Sequence, residues 1–215
     1  MIPVLIVPVL ARHDLLTRMI KSINYPVKDL LIIDNDRNSN YQIPWNQWVS
    51  KISYLKMPSN FGVGGSWNLG IKCFPNADFW LISNFDVEWA GDSLQMFYEK
   101  SSSNKLLLSG GSPEWCAFSV GWEVIVKVGL FDESFYPAYF EDDDFERRCV
   151  NAGINIEPSF IPLAHDNSST IQAGYTTQNN ATYESNQIYN SQKIKSGNLT
   201  EGKWDIKRRR QNSWD

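Results

Sequence analysis

Four short apolar runs, Val4–Val9, Leu30–Ile33, Ile52–Met57 and Phe79–Ser83, punctuate the first part of the chain. Short runs rich in Val, Ile and Leu suit strands buried on both faces. Between the first two, Leu15, Met19, Ile20 and Ile23 recur at helical spacing. Asp14 is placed to cap that helix, and Asn24-Tyr-Pro ends it. After the third run a glycine-rich loop, Asn60-Phe-Gly-Val-Gly-Gly, leads into a helix through Asn68 to Cys73. Strands alternating with helices form a mostly parallel sheet covered on both sides. Ligands of such sheets gather at the carboxyl ends of the strands. Asp34, Asp36, Asn84 and Asp86 each follow a strand end, so they are predicted to share one edge.

The second half is less regular. Leu106–Leu108 and Ala117–Val120 read as strands, and Trp122–Val128 as a short helix stopped by Gly129. An aromatic loop, Phe135-Tyr-Pro-Ala-Tyr-Phe140, enters Glu141-Asp-Asp-Asp144. The helix that follows runs to Asn151, with Gly153 as its stop. Ile154–Ile161 is extended and His165 comes next. From Asp166 the chain turns polar, with a weakly amphipathic helix expected over 182–195. The organisation expected is one domain over 1–168 and a polar extension over 169–215.

The chain has 215 residues, with 20 Lys+Arg against 24 Asp+Glu. A net charge of −4 argues against a nucleic-acid binder driven by bulk positive charge. At 42% hydrophobic residues the chain is not wholly disordered, and no apolar run approaches the roughly 20 residues of a membrane span. The charge is split. Lys203, Lys207, Arg208, Arg209 and Arg210 make a basic tail, able to touch anionic lipid, behind an acidic body. Cys73, Cys116 and Cys149 are odd in number and lack a C-x-x-C pair, as in a reducing compartment with buried thiols. Met1–Leu10 has no basic leader and reads as a strand. A cytoplasmic location is expected, which leaves the glycosylation triplets at Asn167, Asn180 and Asn198 without weight.

Three groups are candidates for chemistry. Asp86, at a strand end in Ser-Asn-Phe-Asp-Val-Glu, suits a hard divalent cation, and Asn84 offers a further oxygen; a turn-capping Asp is the plain alternative. The acids Glu141–Asp144 exceed what helix capping needs, and one carboxylate among like charges is a candidate general base. His165 and His13 are the only histidines, and His13 reads as structural. The glycine loop does not fit a dinucleotide fingerprint, because Trp67 takes the third glycine position and the loop follows the third strand. No P-loop, G-x-S-x-G or H-E-x-x-H motif occurs.

Taken in order, Val4-Leu-Ile-Val-Pro-Val, Leu31-Ile-Ile-Asp-Asn, Asn60–Gly70, Leu81–Glu88 and Val128–Phe135 continuing to Phe140–Arg148 are similar to a known pattern. The chain resembles inverting nucleotide-sugar glycosyltransferases of family 2, in their rhamnosyltransferase-like branch. The resemblance covers roughly residues 3–168. It implies a single-domain α/β GT-A fold, with a mixed, mostly parallel central sheet flanked by helices. It further implies a nucleotide pocket lined from Pro8 to Arg12, with Asp34 on the base and Asn60, Gly64 and Asn68 nearby. Asp86 would bind Mn²⁺ or Mg²⁺ bridging the donor diphosphate, Asn84 would stand where the motif has its first carboxylate, and His165 would complete the metal site. Asp142, paired with Glu141, matches the catalytic base. The resemblance implies a UDP-sugar donor, a glycan or glycoconjugate acceptor, and a place in polysaccharide biosynthesis.

Two other readings stay open at this level: an inert sugar- or nucleotide-binding module of the same fold, and a nucleotidyltransferase. Residues 166–202 are either a surface appendage or a lid with Tyr183, Tyr189 and Lys193 as its polar tips. Trp67, Trp115 and Trp122 lie near the expected site loops.

Overall fold

The computed structural model describes residues 1–110, 114–166 and 169–201. The basic tail, and Asn167 with Ser168, fall outside the described residues. The first strand, β1 (Ile2–Val9), is central, and β2 (Val27–Asp34) and β3 (Val49–Lys56) extend the sheet to one side of it, all parallel. On the other side comes β4 (Phe79–Ser83), also parallel, then β7 (Ala117–Gly121), antiparallel to β4. Strands β6 (Lys105–Leu108) and β8 (Asn155–Pro158) close the seven-stranded order β3-β2-β1-β4-β7-β6-β8. Only β7 runs against the rest, so the sheet is mixed and mostly parallel, as expected. Pro8 sits in a central strand at no cost to the ladder, because pairing with β4 ends at Ile6↔Ile82, two residues earlier.

The period-2 pattern splits β1 between two cores. Leu5, Val7 and Val9 face α1 (His13–Ser22) and α3 (Ser93–Lys100), while Val4 and Ile6 face α2 (Val63–Cys73), α4 (Trp122–Val128) and α5 (Glu141–Asn151). Both faces are therefore dry, which is why these strands read as near-continuous apolar runs. Two glycines of the loop and helix are required by space. A Cβ on Gly70 would lie 2.5 Å from Cγ2 of Ile6, so α2 can lie this close to β1 only with glycine there. Gly62 has φ +75°, and a Cβ on it would meet the Pro137 carbonyl at 2.8 Å. The loop thus accommodates a strand and the aromatic loop. Gly64 by contrast has ordinary room, its nearest neighbours including Cβ of Glu141 at 3.6 Å.

Several expectations are corrected. Asp14 does not cap α1: Arg12, at φ 54°, occupies the cap position, and Asp14 instead accepts both Nε and Nη2 of Arg12 at 2.9 and 2.8 Å. Cys73 is exposed, at the outward end of α2, while Cys116 and Cys149 are buried. Trp122 lies at the opposite edge from the strand-end loops, its N–H bonded to the carbonyl of Asp78 just before β4. Trp67 and Trp115 stack on each other within the aromatic core. The polar extension forms α6 (Thr176–Ser196), longer than the 182–195 expected. A two-stranded ribbon, β5 (Val87–Trp89) with β9 (Leu163–His165), went unforeseen, as did α3.

Candidate functional site

Parallel β1, β2 and β4 end on the same edge, and their following residues meet there. At the end of β2, Asp34 is 0% exposed. Its Oδ2 accepts Tyr54 Oη and lies 2.8 Å from His13 Nε2, and its Oδ1 accepts the Asp36 N–H at 3.0 Å. Burial pushes this carboxyl up, but the bonds from Tyr54, Asp36, Ser39 and His13 outweigh it and hold it below its ordinary value. Asp34 is thus sealed beneath His13 and Tyr54. His13 belongs to this cluster and packs on Tyr41 at 5.1 Å. Next to it Asn35, not singled out in the sequence, ties the end of β2 to the glycine loop and α2: Nδ2 donates to Ser66 Oγ at 3.0 Å and Oδ1 accepts the Phe61 N–H at 2.9 Å. Asn60 closes its own turn by accepting the Gly62 N–H at 2.8 Å.

At the end of β4, the β5–β9 ribbon brings His165 back to Asp86, with Val87 opposite His165. His165 Nε2 is 3.1 Å from Asp86 Oδ1 and 3.5 Å from Asn84 Nδ2, and Asp86 is nearly buried. The other ring nitrogen, Nδ1, is buried with no partner. A cavity of about 400 Å³ opens beside this pair, lined by Arg12, Leu15, Arg18, His165, Asp166, Ser169 and Gln172. Its cationic side is pre-set: Arg18 pairs with Asp166 and approaches Glu88 at 3.3 Å, and Arg12 feels both Asp14 and Asp86. Arg18 was not singled out in the sequence, where its helical spacing concealed it.

The third group begins α5, next to Gly64. The helix separates the four acids. Asp144 is buried in ion pairs with Arg147 and Arg148, Asp143 is exposed, Asp142 is half-buried, and Glu141 is buried with Oε2 unpartnered. Burial, with the Asp142 charge second, holds Glu141 well above its ordinary range. Burial also raises Asp142, opposed by the Asp143 N–H that Asp142 accepts at 2.9 Å. Tyr139 and Phe140, which lead in, both have positive φ (80° and 74°), a conformation costly for such residues. Asn68 lies away from this edge's open surface: both N–H groups are taken, by the Phe131 carbonyl at 2.9 Å and Glu133 at 2.8 Å. Tyr189 and Lys193 point inward, onto Asp132 at 3.0 and 2.6 Å, so neither is a polar tip facing a ligand.

Among the described residues no three His, Cys, Asp or Glu side chains gather as a metal cage. Nor is any described helix long and apolar enough to cross a membrane.

No protein-family model matches the chain, and no curated protein matches it in sequence. Solved structures do. A Pyrobaculum calidifontis mannosyltransferase in complex with GDP-Man and Mn²⁺ superposes with TM-score 0.58 at 12% identity, over 74% of this chain and 55% of that one. The catalytic domain of Drosophila β1,4-galactosyltransferase 7 with xylobiose gives 0.53 at 16% identity, over 77% and 70%. A variant of that enzyme with manganese, UDP-Gal and xylobiose gives 0.53 at 15%, over 79% and 72%. The chain thus spans little more than half of the mannosyltransferase's length. At these identities the likeness is one of architecture, and with the seven-stranded sheet it establishes the GT-A-like fold of glycosyltransferases.

Proposed function

We propose that the protein is an inverting glycosyltransferase, of the family 2 and rhamnosyltransferase-like kind, which moves a sugar from a UDP-sugar to a hydroxyl of a glycan acceptor. The observation that supports this reading is the Asp86–His165 pair beside a cavity edged by arginines at the end of β4, together with the half-buried carboxylate Asp142 at the start of α5.

Mn²⁺ or Mg²⁺ fits the donor set at Asp86. Such ions are commonly held by one or two carboxylates while phosphates and water supply the remaining ligands. One carboxylate, one imidazole whose second nitrogen is an orphan, and the neighbouring Asn84 amide match that demand. Bound there, the ion would neutralise charge developing on the departing diphosphate. Arg12 and Arg18 supply cationic lining to the adjoining cavity. Asp34 acts from beneath: it holds His13 and Tyr54 in place on the nucleoside side, with Pro8, Asn60 and Gly64 shaping the pocket wall. Asn68 contributes by fixing the 131–133 loop. Asp142 takes the proton of the acceptor hydroxyl, a step worth about 10²–10⁴-fold in rate. Burial, with the Asp143 and Glu146 charges, raises the Asp142 affinity for a proton, while Glu141, buried beside it, is itself raised by burial and the Asp142 charge. A single displacement with no covalent enzyme intermediate inverts the anomeric centre. A cytoplasmic role in polysaccharide biosynthesis fits this chemistry.

The deciding experiment is a screen of nucleotide sugars for hydrolysis and transfer with Mn²⁺ and with chelator, the product anomer being read by NMR. Metal-dependent turnover of a UDP-sugar with inversion is expected, reduced about 10²–10⁴-fold in Asp142→Asn. Retained configuration would sink the displacement mechanism. Nucleotide binding without turnover of any donor would make the protein an inert binding module, and release of pyrophosphate from a nucleoside triphosphate supplied with a sugar 1-phosphate would make it a nucleotidyltransferase.

A further inference from the structure

Two carboxylates outside the strand-end groups are wholly sealed from water, Asp132 and Asp144. Asp132 precedes the aromatic loop and Asp144 lies in the first turn of α5. One cation serves both. Lys193 Nζ is 2.6 Å from Asp132 Oδ2 and 2.9 Å from Asp144 Oδ1, and the lysine side chain is itself 1% exposed. The remaining lone pairs are also used. Tyr189 Oη donates to Asp132 Oδ2 at 3.0 Å, the Ser134 N–H to its other oxygen at 2.9 Å, and Arg148 Nε to Asp144 Oδ2 at 2.8 Å. A buried carboxylate without such partners is strongly disfavoured, so this constellation specifies one arrangement of three segments.

The helix that supplies Lys193 docks with little of itself buried. Of the 21 residues of α6, only Asn186 and Lys193 are buried, so no apolar stripe drives its docking. Its attachments are polar and aromatic, and they reach residues 135–140 and Arg147: Tyr183 packs on Tyr139 and Phe140 at 5.5 and 5.1 Å, and Tyr189 on Phe135 at 4.8 Å. Asn186 Nδ2 donates to the Ala138 carbonyl at 2.6 Å, Asn179 accepts Tyr139 Oη, and Asn190 accepts Arg147 Nη1 at 3.2 Å. Residues 135–140 include the two positive-φ residues Tyr139 and Phe140 and lead directly into Glu141 and Asp142. Asp144 is two residues beyond Asp142 in the same helical turn, and Asp132 is on the loop that Asn68 of α2 grips.

We propose that Lys193 is a positioning residue: by bridging Asp144 to Asp132 it fixes the first turn of α5 against α2 and so sets the place of the Asp142 carboxylate. The proposal rests on the reading of Asp142 as the base. Displacing a reacting group by about 1 Å costs up to about 10²-fold. That is the size of effect at stake.

The test compares the full chain with Lys193→Met, which keeps the stem and removes the charge, and with Lys193→Met combined with Asp132→Asn, which removes an opposite charge as well. Transfer kcat and donor KM, the pH dependence of kcat, and amide hydrogen exchange over 138–145 are measured on each. Lys193→Met is expected to lower kcat about 10–100-fold at a donor KM within twofold, to move the acid limb of the pH profile, and to speed exchange at 139–144. The double variant is expected to regain melting temperature and not kcat. Folded Lys193→Met with parental kcat and parental exchange overturns the proposal, as does recovery of kcat together with stability in the double variant. Turnover retained in Asp142→Asn would instead remove the base assignment, and the exchange data still decide whether Lys193 holds the turn.

Discussion

In the first turn of α5 each residue is rotated by about 100° from the one before, so four acids in a row face four environments. Glu141 turns toward Gly64 and loses water, and Asp144 turns to Lys193 and Arg148. Asp143 stays in solvent and Asp142 lies between. For Glu141 the sign follows from burial. Its folded pKa is raised above the ordinary 4.5, so the stability it contributes is complete below that pH and is lost as pH rises through the folded value. Glu141→Gln should therefore melt above the parent at pH 8, by about 2–4 °C for each kcal/mol relieved, and level with it near pH 4. Differential scanning at the two pH values checks this. Asp34 runs the other way. Its lowered pKa gives stability present above 3.8 and lost as pH falls through the folded value, and Asp34→Asn should flatten that acid limb. The acids themselves were legible as candidates from sequence. Which of the four is buried was not, because that depends on where α2 and α6 come to rest against the turn.

Elements show the same division between local signal and tertiary context. Phe79–Ser83, and Trp122–Val128 with its Gly129 stop at φ 88°, match the expectation because apolar period and glycine act within a few residues. The β5–β9 ribbon has three residues per strand, too short for any period to register. Helix α6 has no apolar stripe to read, and its placement is written in Asn186, Tyr189 and Lys193, whose partners are remote in the chain. The glycine loop was legible as a place of close approach. That α2 approaches β1 through Gly70 needed the packed sheet. Gly70→Ala should cost about 1–3 kcal/mol by overpacking, seen as a lower urea midpoint. Ile6→Val in the same chain should return part of that loss, since the two side chains compete for one space.

For the molecule as a whole, the strand-end edge gathers Asp34, Asp36, Asn84 and Asp86, as the alternating pattern required. What the pattern could not supply was His13 and Tyr54 over Asp34, or Arg18 across the cavity, because these contacts join different elements. Ligand linkage tests the assembled edge. UDP at a hundred times its Kd with Mn²⁺ should raise stability by about 2.7 kcal/mol, a gain that chelation removes. Asp86→Asn and His165→Ala should each lose the metal-dependent part while the metal-free melting temperature moves little.

The ribbon that returns His165 to the end of β4 also sets an order of assembly. Asn84 and His165 are 81 residues apart, so by the time β1 to β7 can pair, the imidazole that faces Asp86 has yet to arrive. A chain cut short before Leu163 retains Asp86 and lacks His165, and with it Tyr189 and Lys193, the partners of the buried Asp132. On the proposed reading of this edge, its metal-binding half is therefore completed last, by residues that leave the ribosome after the whole sheet.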